Sequence, residues 1–211
     1  MSRNQPWRRR NKPLEYHQAS DYEKLLWACG IPSRYWNVAL SSLRPVGFTY
    51  ESGGGIEHIS ASTQTEYLKE RVSNPELLQS NRFVCVASCP SDEHAMAAAS
   101  LLACAAIKDG HENGDVVKVR MLDIQDYEAS LADDIEFFST TPEMLLIHNL
   151  NEDSSKERIR AARDLLRSQE EIYRIAVVAS DNPLKFAREF LRLEPQEVYQ
   201  FEGKPRKVIS R

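Results

Sequence analysis

Several features that would assign a function directly are absent from this sequence of 211 residues. No apolar run is long enough to span a bilayer, and the basic N-terminal stretch is not followed by the apolar segment of a secretory signal. The four cysteines lack the paired spacing of a zinc site, and the five histidines are scattered singly. These absences predict a cytoplasmic protein with reduced thiols, no metal and no membrane partner.

Glycine and lysine are missing from the one turn where a nucleotide-binding protein would need them. The stretch 82–110, RFVCVASCPSDEHAMAAASLLACAAIKDG, has the layout of a buried strand, a tight turn and a long helix. A phosphate-binding loop of this layout reads G-x-x-x-x-G-K-[ST], and its lysine and hydroxyl hold the phosphates and magnesium. Against that template Cys89 and His94 take the glycine positions, Ala95 the lysine position and Met96 the hydroxyl position. We therefore expect no nucleotide cofactor.

Negative charge at the start of the same helix strengthens this expectation. Ser91 is the predicted N-cap, and Asp92 and Glu93 fall in the first helical turn, where acids interact favourably with the helix dipole. A phosphate oxygen about 4 Å from such a carboxylate would be repelled by about 4 kcal/mol at an effective dielectric constant of about 20. The degenerate loop comprises Cys89, Ser91, Asp92, Glu93, His94, Ala95 and Met96.

From residue 82 onward, strand and helix patterns alternate. Strands are predicted at 82–88, 116–123, 143–150 and 173–180, with an edge strand at 197–203 or 207–210. Helices are predicted at 92–107, 123–140, 154–172 and 182–193. This alternation predicts an α/β fold of three layers, in which helices cover both faces of a mostly parallel sheet.

The N-terminal part reads differently from this core. Residues 1–20 are a basic irregular arm, and 21–80 are predicted to be a helical linker region with a loop rich in Gly, Ser and Thr at 44–64. The core is then expected to occupy 81–211. No clear helical lid domain follows it.

The sequence resembles the AAA+ ATPases of the DnaC/IstB type, which are bacterial helicase loaders and transposition helpers. The resemblance runs over about 25–190 and rests on GIPSRYWNVALSSL, on the strand, loop and helix at 82–110, and on the strands EMLLIHNL and RIAVVASDNPLKF in the family's order. It implies a P-loop NTPase-like core of the AAA+/RecA-like kind with a short helical N-terminal extension.

The residues that carry out ATP hydrolysis in that family are not matched. Its second strand ends in Leu-Leu-Ile-Asp-Asp-Leu, where the acids handle magnesium and activate water. His148 and Asn149 stand in those two places, and neither supplies the negative charge that a magnesium ion requires. The polar tip that senses the γ-phosphate is matched only at Ser180. The resemblance therefore implies an inactive relative, a pseudo-ATPase without catalytic residues.

Charge is distributed unevenly along the chain. The first twelve residues carry five positive charges and no acid, so the rest carries −9 against a total of −4. Basic arms contact polyanions or acidic partner surfaces, although a solvated, partly disordered terminus is an equal alternative. The predicted nucleic-acid contacts are Arg8, Arg9, Arg10 and Lys12.

Two functions from different classes remain open. The first is a non-catalytic scaffold or adaptor in a replication, transposition or mobile-element complex, which binds protein partners in a heteromeric or homo-oligomeric assembly and contacts DNA through its basic termini. The alternative is a structural or assembly protein of a phage or mobile element that uses the fold only for subunit packing. Salt-dependent DNA binding would favour the first. An enzyme with an unrelated pocket is a third, weaker possibility, and no residues in the sequence indicate one.

Overall fold

A computed structural model of the chain describes residues 19–75, 84–88, 93–115, 117, 119–125, 144–167, 173–195 and 198–201. The helices are α1 (Asp21–Ala28), α2 (Ala61–Ser73), α3 (Glu93–Asn113), α4 (Lys156–Arg167) and α5 (Pro183–Phe186), the last of which continues into a π-helical turn at Ala187–Leu191. The strands are β1 (Phe48–Ser52), β2 (Gly55–Ile59), β3 (Val84–Ser88), β4 (Val119–Asp123), β5 (Met144–Asn151), β6 (Tyr173–Ala179) and β7 (Val198–Phe201). No helix among these residues is long and apolar enough to cross a membrane.

From β3 onward, the predicted alternation of strands and helices is confirmed for the residues that the structure describes. Five parallel strands form one sheet in the order β4-β5-β6-β3-β7. Of the two candidates for the edge strand, the segment around 198–201 is the one that pairs, and the other lies outside the described residues. Residues 124 and 125 form a turn after β4, and most of the helix predicted at 123–140 also lies outside them.

Helices cover both faces of this sheet, so the mixed α/β layering is confirmed. On one face α1, α2 and α3 pack with the apolar side chains Leu146, Ile175 and Val177. On the other face α4, α5 and the π-helical turn pack with Leu145, Ile147, Ala176 and Val178, the residues that alternate with the first set along the strands.

The prediction of a loop over 44–64 is wrong. Residues in this range form an antiparallel hairpin of β1 and β2, in which Phe48 lies opposite Ile59. Phe48 packs against the α4 face of the sheet, and Thr49 and Glu51 on the opposite side of the strand are more exposed. This two-residue alternation is the signature of a strand, and the high glycine content comes from the turn that joins the two strands.

Helix starts follow the expected capping chemistry. The hydroxyl of Ser20 accepts a hydrogen bond from the backbone N–H of Glu23, and the carboxylate of Glu23 accepts one from the backbone N–H of Ser20 at 2.8 Å. This reciprocal pair is a capping box, which fixes the start of α1. At α2 the hydroxyl of Ser60 accepts from the backbone N–H of Thr63 at 3.0 Å, so this helix begins inside the range that was predicted to be a loop.

Candidate functional site

The sheet order places a candidate site beyond the carboxyl ends of β3 and β6. These strands are neighbours, and Ser88 at the end of β3 pairs with Ala179 at the end of β6. The helix after β3 lies on one face of the sheet, and the helix after β6 lies on the other. In open parallel sheets, ligands bind in the crevice where the connections after two neighbouring strands run to opposite faces of the sheet.

Helix α3 begins after β3, and its residues at the lysine and hydroxyl positions of a phosphate loop are buried in the core. Glu93 lies in its first turn, as predicted from the sequence. Ala95, at the lysine position of a phosphate loop, is 0% exposed, and Met96, at the hydroxyl position, is 5% exposed. Both belong to the apolar cluster beneath α3, and His94 is buried beside them. A methyl group and a thioether in an apolar core can neither attract a phosphate nor hold a magnesium ion.

Three of the predicted loop residues, Cys89, Ser91 and Asp92, lie outside the described residues. The same is true of the predicted nucleic-acid contacts Arg8, Arg9, Arg10 and Lys12. These assignments stay predictions.

A network of hydrogen bonds joins the ends of β4 and β5 to the start of α4. We call it the strand-end cluster, and it consists of Asp123, Gln125, Asn149, Ser154 and Arg158. The amide nitrogen of Gln125 donates to the backbone carbonyl of Asn149 and to the hydroxyl of Ser154, both at 2.9 Å. Arg158 donates from Nη1 to Oε1 of Gln125 at 2.8 Å and from Nη2 to the backbone carbonyl of Gln125 at 2.6 Å. The cluster ties three elements together through one glutamine.

His148 and Asn149, the two residues compared above with the acids of the DnaC/IstB-type pattern, sit in a β-bulge. The pairing register of β5 with β6 shifts between Ile147 and Leu150, and Asn149 has a φ of 62°. Asparagine tolerates this left-handed conformation better than most residues. Its side-chain amide donates to the carboxylate of Asp123, and Nδ1 of His148 lies 3.9 Å from the same carboxylate. The strand continues to Asn151, so these two residues do not form its tip.

The tip of β5 is joined to the tip of β6 by an acid that the sequence reading missed. The hydroxyl of Ser180 donates to the carboxylate of Glu152, and the backbone N–H of Asp181 donates to the same oxygen at 3.1 Å. Ser180, the residue matched to the γ-phosphate sensor, is 2% exposed. Its hydroxyl also accepts from the backbone N–H of Asn182 at 3.0 Å. The side-chain hydroxyl of Ser180 is therefore engaged within the protein.

Sequence reasoning thus missed two carboxylates at the ends of the strands, Asp123 and Glu152. Asp123 directly closes a strand pattern, which was an available signal, whereas Glu152 could be found only by knowing that the bulge lengthens β5. Each carboxylate accepts hydrogen bonds from neighbouring groups. Among the residues that the structure describes, no group of three or more His, Cys, Asp or Glu is placed to hold a metal ion.

The environments of Cys29 and Cys104 make both thiols less reactive than a free thiol. Cys104 in α3 is buried, and burial raises the pKa of its thiol to about 12. Burial also raises the pKa of Cys29, which is half-buried. Because a thiolate is the reactive form, neither residue is activated as a nucleophile.

A cavity of 660 Å³ lies to one side of the strand tips, between the hairpin and α5. Its walls combine the apolar side chains of Ile56 and Leu184 with the charged side chains of Glu51, Lys185 and Arg188. The groups of opposite charge leave no strong preference for an anion or a cation.

Comparison of the chain with protein-family models, with curated proteins and with solved structures gives no match.

Proposed function

We propose that this protein is a non-catalytic, ATPase-like scaffold or adaptor of the DnaC/IstB-like AAA+ kind, working in a nucleic-acid-handling complex. The carrying observation is the complete burial of Ala95 in the apolar cluster beneath α3. A phosphate-binding core needs a cation at this position, and the protein has a methyl group there.

The strand order supports the AAA+/RecA-like part of the proposal. Counted along the parallel sheet, the first strand lies between the fourth and the fifth, with the second at the far edge. This order differs from the dinucleotide-binding order 3-2-1-4-5-6, which is the main alternative for an open parallel sheet of this kind. A nucleotide would then meet the ends of β3 and β6.

The strand-end cluster supports the non-catalytic part. In an active enzyme, acids at the positions of His148 and Asn149 would face magnesium and water. Here the side-chain amide of Asn149 donates a hydrogen bond to Asp123. The amide of Gln125 donates to the backbone carbonyl of Asn149 and to the hydroxyl of Ser154. These hydrogen bonds give the strand-end cluster a structural role, which is to hold the ends of β4 and β5 against the start of α4.

Labelled ATP with magnesium, titrated with the protein and followed by fluorescence anisotropy, tests the absence of a nucleotide site. We expect no saturable binding, and a micromolar dissociation constant would refute the proposal. The nucleic-acid part is tested by DNA binding at two salt concentrations with the variant in which Arg8, Arg9 and Arg10 are all changed to alanine. Unchanged DNA affinity in that variant would remove the arm from the binding surface.

A further inference from the structure

Three cationic side chains lie along one side of helix α4. They belong neither to the degenerate phosphate loop nor to the basic arm. Lys156, Arg160 and Arg163 stand at positions i, i+4 and i+7 of the helix. At about 100° per residue they fall within about 60° of the helix circumference. Lys156 is exposed, and the side chains of Arg160 and Arg163 are 77% and 26% exposed. We call these three residues the α4 cation row.

The row has a length that suits a polyanion. Its ends are seven residues apart, so it extends about 10 Å along the helix axis. A single strand of duplex DNA presents one phosphate per about 3.4 Å of axis, so the row spans about three phosphates. Arginine and lysine side chains are long enough to adjust to phosphates that do not align with the helix.

One acidic neighbour of the row, Asp164, is paired with two of its cations. Asp164 lies 3.7 Å from Nε of Arg160 and 3.7 Å from Nε of Arg163, and its side chain is 61% exposed. The pair with Arg160 is exposed on both sides, and ion pairs of this kind contribute between about 0 and 1 kcal/mol. A phosphate can therefore replace Asp164 at small cost, and Asp164 acts as an internal competitor for the row.

A lipid surface fits the row less well than a nucleic acid does. Helices that bind membranes insert an apolar face next to their basic residues. The apolar face of α4, formed by Ile159, Leu165 and Leu166, is buried against the sheet. The exposed large hydrophobic residues among those described are Trp27, Ile56, Tyr67 and Phe190, and none of them is on α4.

We propose that the α4 cation row is a binding surface for the phosphate backbone of a nucleic acid. Nucleic acid is also a partner in the proposed function, but the α4 cation row shares no residue with the basic arm named there. The row requires only that the α/β core is folded. The row lies on the sheet face opposite α1, α2 and α3, so it defines which side of the protein faces the nucleic acid.

The test compares two full-length variants with the same net charge. In the first, Lys156, Arg160 and Arg163 are changed to glutamine. In the matched control, the same change is made at Lys24, Lys69 and Lys108, which lie on α1, α2 and α3 on the other face. Glutamine is a good helix former, so unfolding curves should show that both variants are folded. Affinity is measured by anisotropy with a labelled 30-base duplex and a labelled 30-base single strand, at 50 and 200 mM salt.

Removing three phosphate contacts should lower the salt slope of duplex binding by about 2.7, at about 0.9 counterion per contact. We expect at least a tenfold loss of affinity at 50 mM salt for the row variant and less than a twofold to threefold loss for the control. Asp164→Asn should increase affinity, since it removes the competing carboxylate. If the row variant loses more affinity for the duplex than for the single strand, the duplex is the partner. The opposite result indicates the single strand.

Equal losses in the row variant and the control would contradict the proposal, because they would reflect net charge alone. Wild-type affinity in the row variant would also contradict it, as would binding to vesicles containing phosphatidylserine without binding to DNA. The same measurements are repeated with Arg8, Arg9 and Arg10 changed to alanine. They distinguish the contribution of the row to DNA affinity from that of the arm. Nucleotide binding is independent of both, so failure of the proposed function would be recognised separately.

Discussion

Replacing Arg158 with alanine tests whether the strand-end cluster holds the fold together. The change removes two hydrogen bonds from a charged donor to Gln125, at 2.8 and 2.6 Å. Hydrogen bonds that involve a charged group contribute about 1.5 to 3 kcal/mol each, and two bonds that share both residues are not additive. We therefore expect Arg158→Ala to lower the free energy of unfolding by about 2 to 3 kcal/mol. Alanine favours a helix slightly more than arginine does, so helix propensity cannot explain a loss.

Urea denaturation provides the assay, and Arg160→Ala provides the control on the same helix. The side chain of Arg160 is 77% exposed and has only a 3.7 Å ion pair with Asp164, so its loss should change stability by less than about 0.5 kcal/mol. Magnesium at millimolar concentration should leave both curves unchanged, because the cluster is satisfied without a metal. Equal stability of the two arginine variants, or stabilisation by magnesium, would refute this explanation of the cluster.

Three further predictions follow from individual contacts. Asn149 has a φ of 62°, so Asn149→Ala should be less stable than Asn149→Gly by about 1 kcal/mol, as measured by urea denaturation. Burial raises the pKa of Cys104 to about 12, so at pH 8 iodoacetamide should modify Cys29 before Cys104, as followed by mass spectrometry, and faster labelling of Cys104 would contradict its burial. Hydrogen bonds from the backbone of Ser20 and, to a smaller extent, from its side chain lower the pKa of Glu23. Glu23→Gln should therefore lower the free energy of unfolding at neutral pH. That loss should disappear as the pH falls through the lowered pKa of folded Glu23, and a loss that persists in acid would contradict the ionic origin.

The elements of the sheet could be predicted from the sequence because each is encoded locally. The buried strand over Met144–Asn151 and the amphipathic helix over Lys156–Arg167 both match the predicted patterns closely. The hairpin was missed because β2 is exposed at four of its five positions, so its sequence shows no apolar periodicity. In β1, the strand paired with β2, Phe48 becomes buried only when the chain folds back onto the sheet.

The candidate site was predictable only in part. The residues at the turn after β3 could be read directly against a phosphate-loop template, because that motif is contiguous. The strand-end cluster could not be read in this way, since Arg158 and Gln125 are 33 residues apart and meet only through the pairing of β4 with β5. The bulge at Asn149 was equally hidden, because β5 is buried on both faces and has no two-residue apolar alternation that an extra residue would interrupt.

A thermal-unfolding measurement with and without MgATP tests most directly whether the site is closed to nucleotide. A ligand that binds only the folded state, present at about 100 times its dissociation constant, stabilises it by about 2.7 kcal/mol. For a chain of this size, that free energy corresponds to a rise of about 5 to 10 °C in melting temperature. With Ala95 and Met96 buried where a lysine and a hydroxyl would be required, we predict a change below about 1 °C at 1 mM MgATP. A rise of several degrees that saturates with MgATP concentration would contradict the account.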